Sequence, residues 1–172
     1  YALNASLAQW AFELTRGVPL KDTSGAAALR SDYSGYPKAL AAPTVMLGDN
    51  LSASTFWHGE LYNQWANDWL GYWTDGQGEF VTTAVEDGGI LEAIRFLDGG
   101  GRADFSRVML LRTASNFSMP PPGMSAAQSL TRDSDGFGGM EPAIEAHWLV
   151  GSTAARALIE GWKHFETTTP TP

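Results

Sequence analysis

Apolar residues recur along the chain at helical spacing in some stretches and as short runs in others, and polar clusters separate them. Leu7, Trp10, Ala11 and Leu14 mark one helical face, with Asn4 where an N-cap belongs and Gly17 where the helix stops. Between 17 and 43, Pro19, Gly25, Gly35, Pro37 and Pro43 stand among small residues, which predicts an irregular surface segment with a short helix over Ser24 to Leu29. Thr44 to Gly48 is an apolar run of the kind that forms a buried strand, and Asp49 to Thr55 is the polar loop after it. Leu61, Trp65, Trp69 and Tyr72 share one face of a helix predicted from His58 to Trp73, closed by Thr74 to Gly78. Phe80 to Val85 reads as a second strand that runs through Glu86 to Gly89 into a helix of Ile90, Leu91, Ile94 and Leu97, ended by Gly99 to Gly101. Val108 to Leu111 is the third predicted strand, leading into the polar loop Thr113 to Ser118. A short helix near Ser125 to Leu130, a glycine-rich loop, and a long helical stretch from Glu141 to Phe165 with a break at Gly151 complete the pattern.

Strands alternating with helices predict an α/β fold, with a mixed or parallel sheet covered by helices on both faces. Three strands are few against the usual five or six and leave a sheet edge open. The expectation is therefore that a missing N-terminal segment, or a companion chain, supplies the rest. The start at Tyr1, in mid-pattern and without a signal peptide, fits a processed piece. Residues 1–166 are read as the C-terminal part of one domain and 167–172 as a frayed tail. The longest apolar run, Ala39 to Leu47, is broken by Pro43 and Thr44, far short of the roughly 20 residues of a membrane span.

Charge narrows the function classes. Among 172 residues, 11 basic and 19 acidic side chains give a formal net charge of −8, and the three Lys and eight Arg are scattered singly. A nucleic-acid binder concentrates positive charge, so nucleic acid is not an expected partner. With no cysteine there is no disulfide framework, thiolate metal site or cysteine nucleophile. His58, His147 and His164 lie on separate elements without metal-ligand spacing, so no metal is expected and no cofactor is called for. Gly99-Gly-Gly-Arg102 follows a helix and lacks the Lys-Ser/Thr of a phosphate loop, and the serines have no Gly-x-Ser-x-Gly turn.

In α/β sheets ligands gather at the carboxyl ends of strands, and here all three predicted strands end in polar segments: Asp49 to His58, Glu86-Asp87, and Arg112 to Asn116. Singly, each has a structural reading: Asp49 and Asn50 form turns, Glu86 complements a helix dipole, and Asn116 is a loop amide. Together they predict a pocket. Phe56 and Trp57 fit either the core or a stacking platform for a flat base, beside Ser54 in the same loop. Glu86, next to Asp87, can accept two hydroxyl hydrogen bonds, which suits a sugar diol. Asn116 offers both donors and an acceptor to a purine edge.

At these segments the chain resembles the purine nucleoside permease family, related to the purine nucleoside phosphorylase superfamily. The resemblance is carried by Leu3-Asn-Ala-Ser-Leu7 with Trp10-Ala11, Gly48-Asp-Asn-Leu-Ser-Ala-Ser-Thr-Phe-Trp-His-Gly59, Thr83-Ala-Val-Glu-Asp87, Val108 to Asn116 with Pro120-Pro-Pro-Gly123, and Val150-Gly-Ser152. It implies a nucleoside phosphorylase-like fold, with Phe56 packing on the purine, Glu86 on the ribose hydroxyls, and Asn116 reading the base. Two departures stand out: the interval from Glu86 to Asn116 is long, and nothing matches the phosphate-binding loops of the phosphorylases. The main expectation is purine nucleoside recognition with N-ribosyl cleavage, in which Asn116 and Glu86 are catalytic and phosphate is a potential co-substrate. The alternatives are a non-catalytic binding or uptake component and a storage protein on the same fold. An oligomer and a secreted or cell-surface location also follow from the resemblance. Of the sequons at Asn4, Asn50 and Asn116, the last two fall in the expected pocket, which leaves Asn4 as the sensible glycan acceptor.

Overall fold

The computed structural model describes residues 1–134 and 139–172. Helix α1 spans Ala5–Thr15, and the Asn4 side chain caps it by accepting from the Leu7 backbone N–H at 3.1 Å. α2 (Ser24–Ser31) is capped by Thr23 in the same way, and α3 (Pro37–Leu40) starts on a proline whose missing N–H costs nothing at that position. Strand β1 (Asp49–Ser52) is followed by α4 (Glu60–Trp73), strand β2 (Phe80–Ala84) and α5 (Asp87–Gly99). A 3-10 turn (Phe105–Arg107), α6 (Ala126–Ser134), α7 (Met140–Glu160) and α8 (Trp162–Phe165) follow.

β1 and β2 pair in parallel, the topology that requires a crossover, and α4 is that crossover. The register sets Asn50 against Thr82, Leu51 against Thr83 and Ser52 against Ala84, with an irregularity after Asp49. The apolar run Thr44 to Gly48 is not a strand; pairing begins one residue later, where the Asp49 N–H donates to the Glu79 carbonyl at 2.7 Å. Polar residues hold this short strand because their side chains are satisfied across the sheet end. Asn50 Oδ1 accepts from Thr82 Oγ1 at 2.9 Å, and Ser52 Oγ donates to the Val85 carbonyl at 3.0 Å. Val108 to Leu111, the third expected strand, has no ladder partner among the described residues. The sheet described is thus two-stranded.

The expected break in the last helix also moves. α7 runs through Gly151, where a Cβ would meet only the end of Leu111 at 3.4 Å. The helix stops instead at Gly161, where a Cβ would collide with the Phe165 ring. The expected glycine-rich loop before α7 falls largely on 135–138, outside the described residues. In the stretch read as a frayed tail there is no helix or strand, yet Pro170 is buried, and Arg107 donates to the Phe165 and Glu166 carbonyls just before it.

Among the described residues the buried apolar side chains include Leu7, Ala26, Tyr33, Ala66, Leu91, Phe105, Ala143, Val150 and Ala154, four of them alanines. α1 packs on α7, and α4 on β2. The face of α4 expected to seek the core does the opposite. Ala66 is the residue fully removed from solvent, whereas Leu61, Tyr62, Trp65, Trp69, Tyr72 and Trp73 are exposed. Their rings stack on one another instead. Trp57 and Trp65 lie 5.0 Å apart at 21°, Trp65 and Trp69 5.0 Å apart at 15°, and Trp73 meets Trp69 edge-on at 5.7 Å.

Candidate functional site

The carboxyl ends of β1 and β2 converge on the start of α5, where an acid at the first helical position is favoured by the dipole. That acid is Asp87, 2% exposed. Its carboxylate accepts from Asn50 Nδ2 at 2.8 Å and from Arg112 Nε at 2.7 Å, and Arg112 Nη2 closes a bidentate pair on its other oxygen. Ser52 Oγ accepts from the Gly88 N–H at 2.8 Å, which ties β1 to the first turn of α5 from the other side. A buried carboxylate is tolerable because it is surrounded by donors; stripped of them it would be among the costliest groups a fold can bury.

Glu86 stands beside this network and outside it. Its side chain is largely exposed and meets Arg112 Nη2 at 3.2 Å. Its carboxyl is held below the ordinary value of 4.5, chiefly by its own backbone N–H; burial opposes this, and the Arg112 guanidinium adds to the lowering. Arg112 is correspondingly raised, chiefly by its hydrogen bonds to Asp87. The two adjacent acids therefore divide their roles. Asp87 is spent on structure, and Glu86 presents a fixed negative oxygen pair to solvent.

A second clamp brings together the Phe56–Gly59 loop and the segment after Asn116. Asn63 Nδ2 donates to the Gly59 carbonyl at 2.8 Å and to the Ser118 carbonyl at 2.7 Å, while Ser118 Oγ donates to Asn63 Oδ1 at 2.6 Å. The Gly59 N–H donates to the same Ser118 carbonyl at 2.8 Å. Gly59 has φ of 102°, and a Cβ there would lie 3.1 Å from Ala126. Glycine is required at this point on both counts.

Of the residues predicted for the site, Phe56 is 58% exposed and Ser54 is exposed on the same loop. Trp57 is half-buried in the ladder of rings, and its indole Nε1 is buried with no partner among the described residues. Asn116 is half-buried, and its amide makes no hydrogen bond among the described residues. Asn4 does not have a free amide: its Nδ2 donates to the Ser106 carbonyl at 2.8 Å, so the sequon taken as the sensible glycan acceptor uses its acceptor nitrogen internally. Asn50, expected to form a turn, and Arg112, expected only to open a polar segment, are the residues whose part in the site the sequence did not assign. The signal for both was present in the polar strand ends, but nothing in either residue alone says which acid it meets. Among the described residues no group of three or more His, Asp or Glu is arranged to hold a metal ion.

The model for the purine nucleoside permease family matches residues 1–170, nearly the whole chain. The chain belongs to the purine nucleoside permease family. It is 31% identical over 163 residues to a purine nucleoside permease of Candida albicans, covering 94% of this chain and 39% of that protein. It is 22% identical over 165 residues to a probable purine nucleoside permease of Schizosaccharomyces pombe, covering 96% of this chain and 47% of that one. The chain thus spans less than half the length of the curated relatives it matches. No solved structure matches it. Among the described residues no helix is long and apolar enough to cross a membrane.

Proposed function

We propose that this purine nucleoside permease chain forms the nucleoside-recognising part of an uptake protein, on a nucleoside phosphorylase-like α/β frame. The reading is carried by an exposed, ionised Glu86 fixed by Arg112, together with an Asn116 amide that makes no hydrogen bond among the described residues and lies on a segment held by the Asn63–Ser118 clamp. A carboxylate suits a ribose diol, and an amide with both donors and acceptors suits a purine edge. The relatives are named for permease function, which favours uptake over the N-ribosyl cleavage that the phosphorylase likeness puts first. Uptake at a cell surface would then need the rest of the protein or a partner at the membrane.

Calorimetric titration of the full protein with inosine, adenosine and uridine tests the reading. The expected result is binding of the two purines in preference to uridine, and equal or absent binding of all three refutes it. Prolonged incubation with inosine, with and without phosphate, separates uptake from cleavage. Hypoxanthine released only with phosphate means phosphorolysis, and release in either buffer means hydrolysis. Binding without release is the expected outcome for a carrier.

A further inference from the structure

We infer that the purine ring of the bound nucleoside lies between the Thr113–Ser115 segment and the first half of α7, with Trp148 rather than Phe56 as its stacking surface. The inference rests on the nucleoside reading above and names where the base sits. A cavity of about 340 Å³ opens there, at the lower end of the range of small-molecule sites. Met140, Ile144 and Trp148 give it apolar walls, and Thr113, Ser115 and His147 bring the hydrogen-bonding groups.

Three observations point to a flat, uncharged, heteroatom-bearing occupant. The two hydroxyls and the imidazole make no hydrogen bond among the described residues, so the cavity offers unspent donors and acceptors around an apolar floor. Among the described residues no carboxylate, lysine or arginine lines it, in a chain whose net charge is −8. Trp148 is 71% exposed, so an indole surface remains available for stacking, on a helix anchored at its start. The anchor is Gly139, where any Cβ would collide with the Ser115 carbonyl, so the start of the helix sits against the segment that forms the opposite wall. Asn116 follows Ser115 directly in the chain, and Glu86 meets Arg112, the residue before Thr113, so both lie on or against the segment that lines the compartment. Phe56 is itself more than half exposed, but it sits on a loop beside the Trp57 ladder, with no ring contact of its own among the described residues.

Photolabelling of the full protein with 8-azidoadenosine, followed by peptide mapping, tests the placement. The label is expected on 113–115 or 140–148, and excess inosine should block it. Trp148→Ala should weaken inosine binding about tenfold or more, the usual scale of a lost base-stacking partner, whereas Phe56→Ala should change it less than about threefold. Trp148→Phe, which keeps a ring, should restore most of the affinity and shows that loss in the alanine variant is not misfolding. Label on 54–62, or a larger loss from Phe56→Ala than from Trp148→Ala, overturns the inference and leaves the nucleoside reading standing. If calorimetry finds no purine binding in the unaltered protein, the nucleoside reading falls and the inference falls with it.

Discussion

Replacing Arg112 with Met keeps most of the side chain's length and removes its charge, and it isolates the cost of the buried acid. In the native protein the Asp87 carboxylate has three donors, two of them from Arg112 and one from Asn50. The variant leaves a carboxylate that is 2% exposed with a single amide donor. Breaking a fully buried ion pair by deleting one partner costs roughly 3 to 5 kcal/mol. Here about a third of the Arg112 side chain is in water, at 32% exposure, so the pair is worth less than that limit. We expect a loss of about 2 to 4 kcal/mol, most of it from the stranded charge. The double variant with Asp87→Asn tests this, because it removes the charge and keeps the amide able to hydrogen bond. It should be more stable than Arg112→Met alone, with a coupling above about 1 kcal/mol in the cycle. Urea unfolding followed by far-UV circular dichroism gives the values, provided the slope is unchanged among variants. An Arg112→Met variant within about 0.5 kcal/mol of the parent would refute the assignment of Asp87 as the structural acid of this site.

Three further outcomes follow from other contacts. Asn63→Ala deletes three hydrogen bonds that join the Phe56–Gly59 loop to Ser118, so a loss of about 1 to 3 kcal/mol and weaker inosine binding are expected by denaturation and calorimetry. Gly59→Ala forces a side chain into positive φ against Ala126 and should cost about 1 to 3 kcal/mol, read from the same urea curves. The Glu86 carboxyl is held below 4.5 when folded, so the stability it contributes is present above that pH and is lost as pH falls through the folded value. Glu86→Gln should flatten that part of the melting-temperature profile on the acid side, while Asp22 and Asp104, which are lowered in the same direction, keep the remainder.

The helices were legible because their signals are local. Asn4 and Gly17 bracket α1, and Gly100 ends α5 where the glycine run predicts it. β1 was not, because Asn50 and Ser52 have poor strand propensity and are held by partners more than 30 residues away, Thr82, Val85, Asp87 and Gly88. For the same reason Glu86-Asp87 was legible as an acidic pair but not as one structural and one exposed acid. That division depends on where Arg112 arrives from, 25 residues downstream of Asp87. The aromatic face of α4 misled in another way. Helical spacing of large apolar residues ordinarily marks the core side, and here the rings found one another.

That ladder also decides what the protein's own light reports. Four of the seven tryptophans, Trp57, Trp65, Trp69 and Trp73, form one unbroken series of ring contacts. Indoles this close exchange excitation before they emit, so light absorbed by any one of them drains toward whichever has the lowest-energy excited state. The steady-state emission is therefore weighted toward a single face of α4, and its polarisation is scrambled even when the helix is rigid. A ligand or partner that shifts one ring of the series will change the spectrum as if it had touched all four.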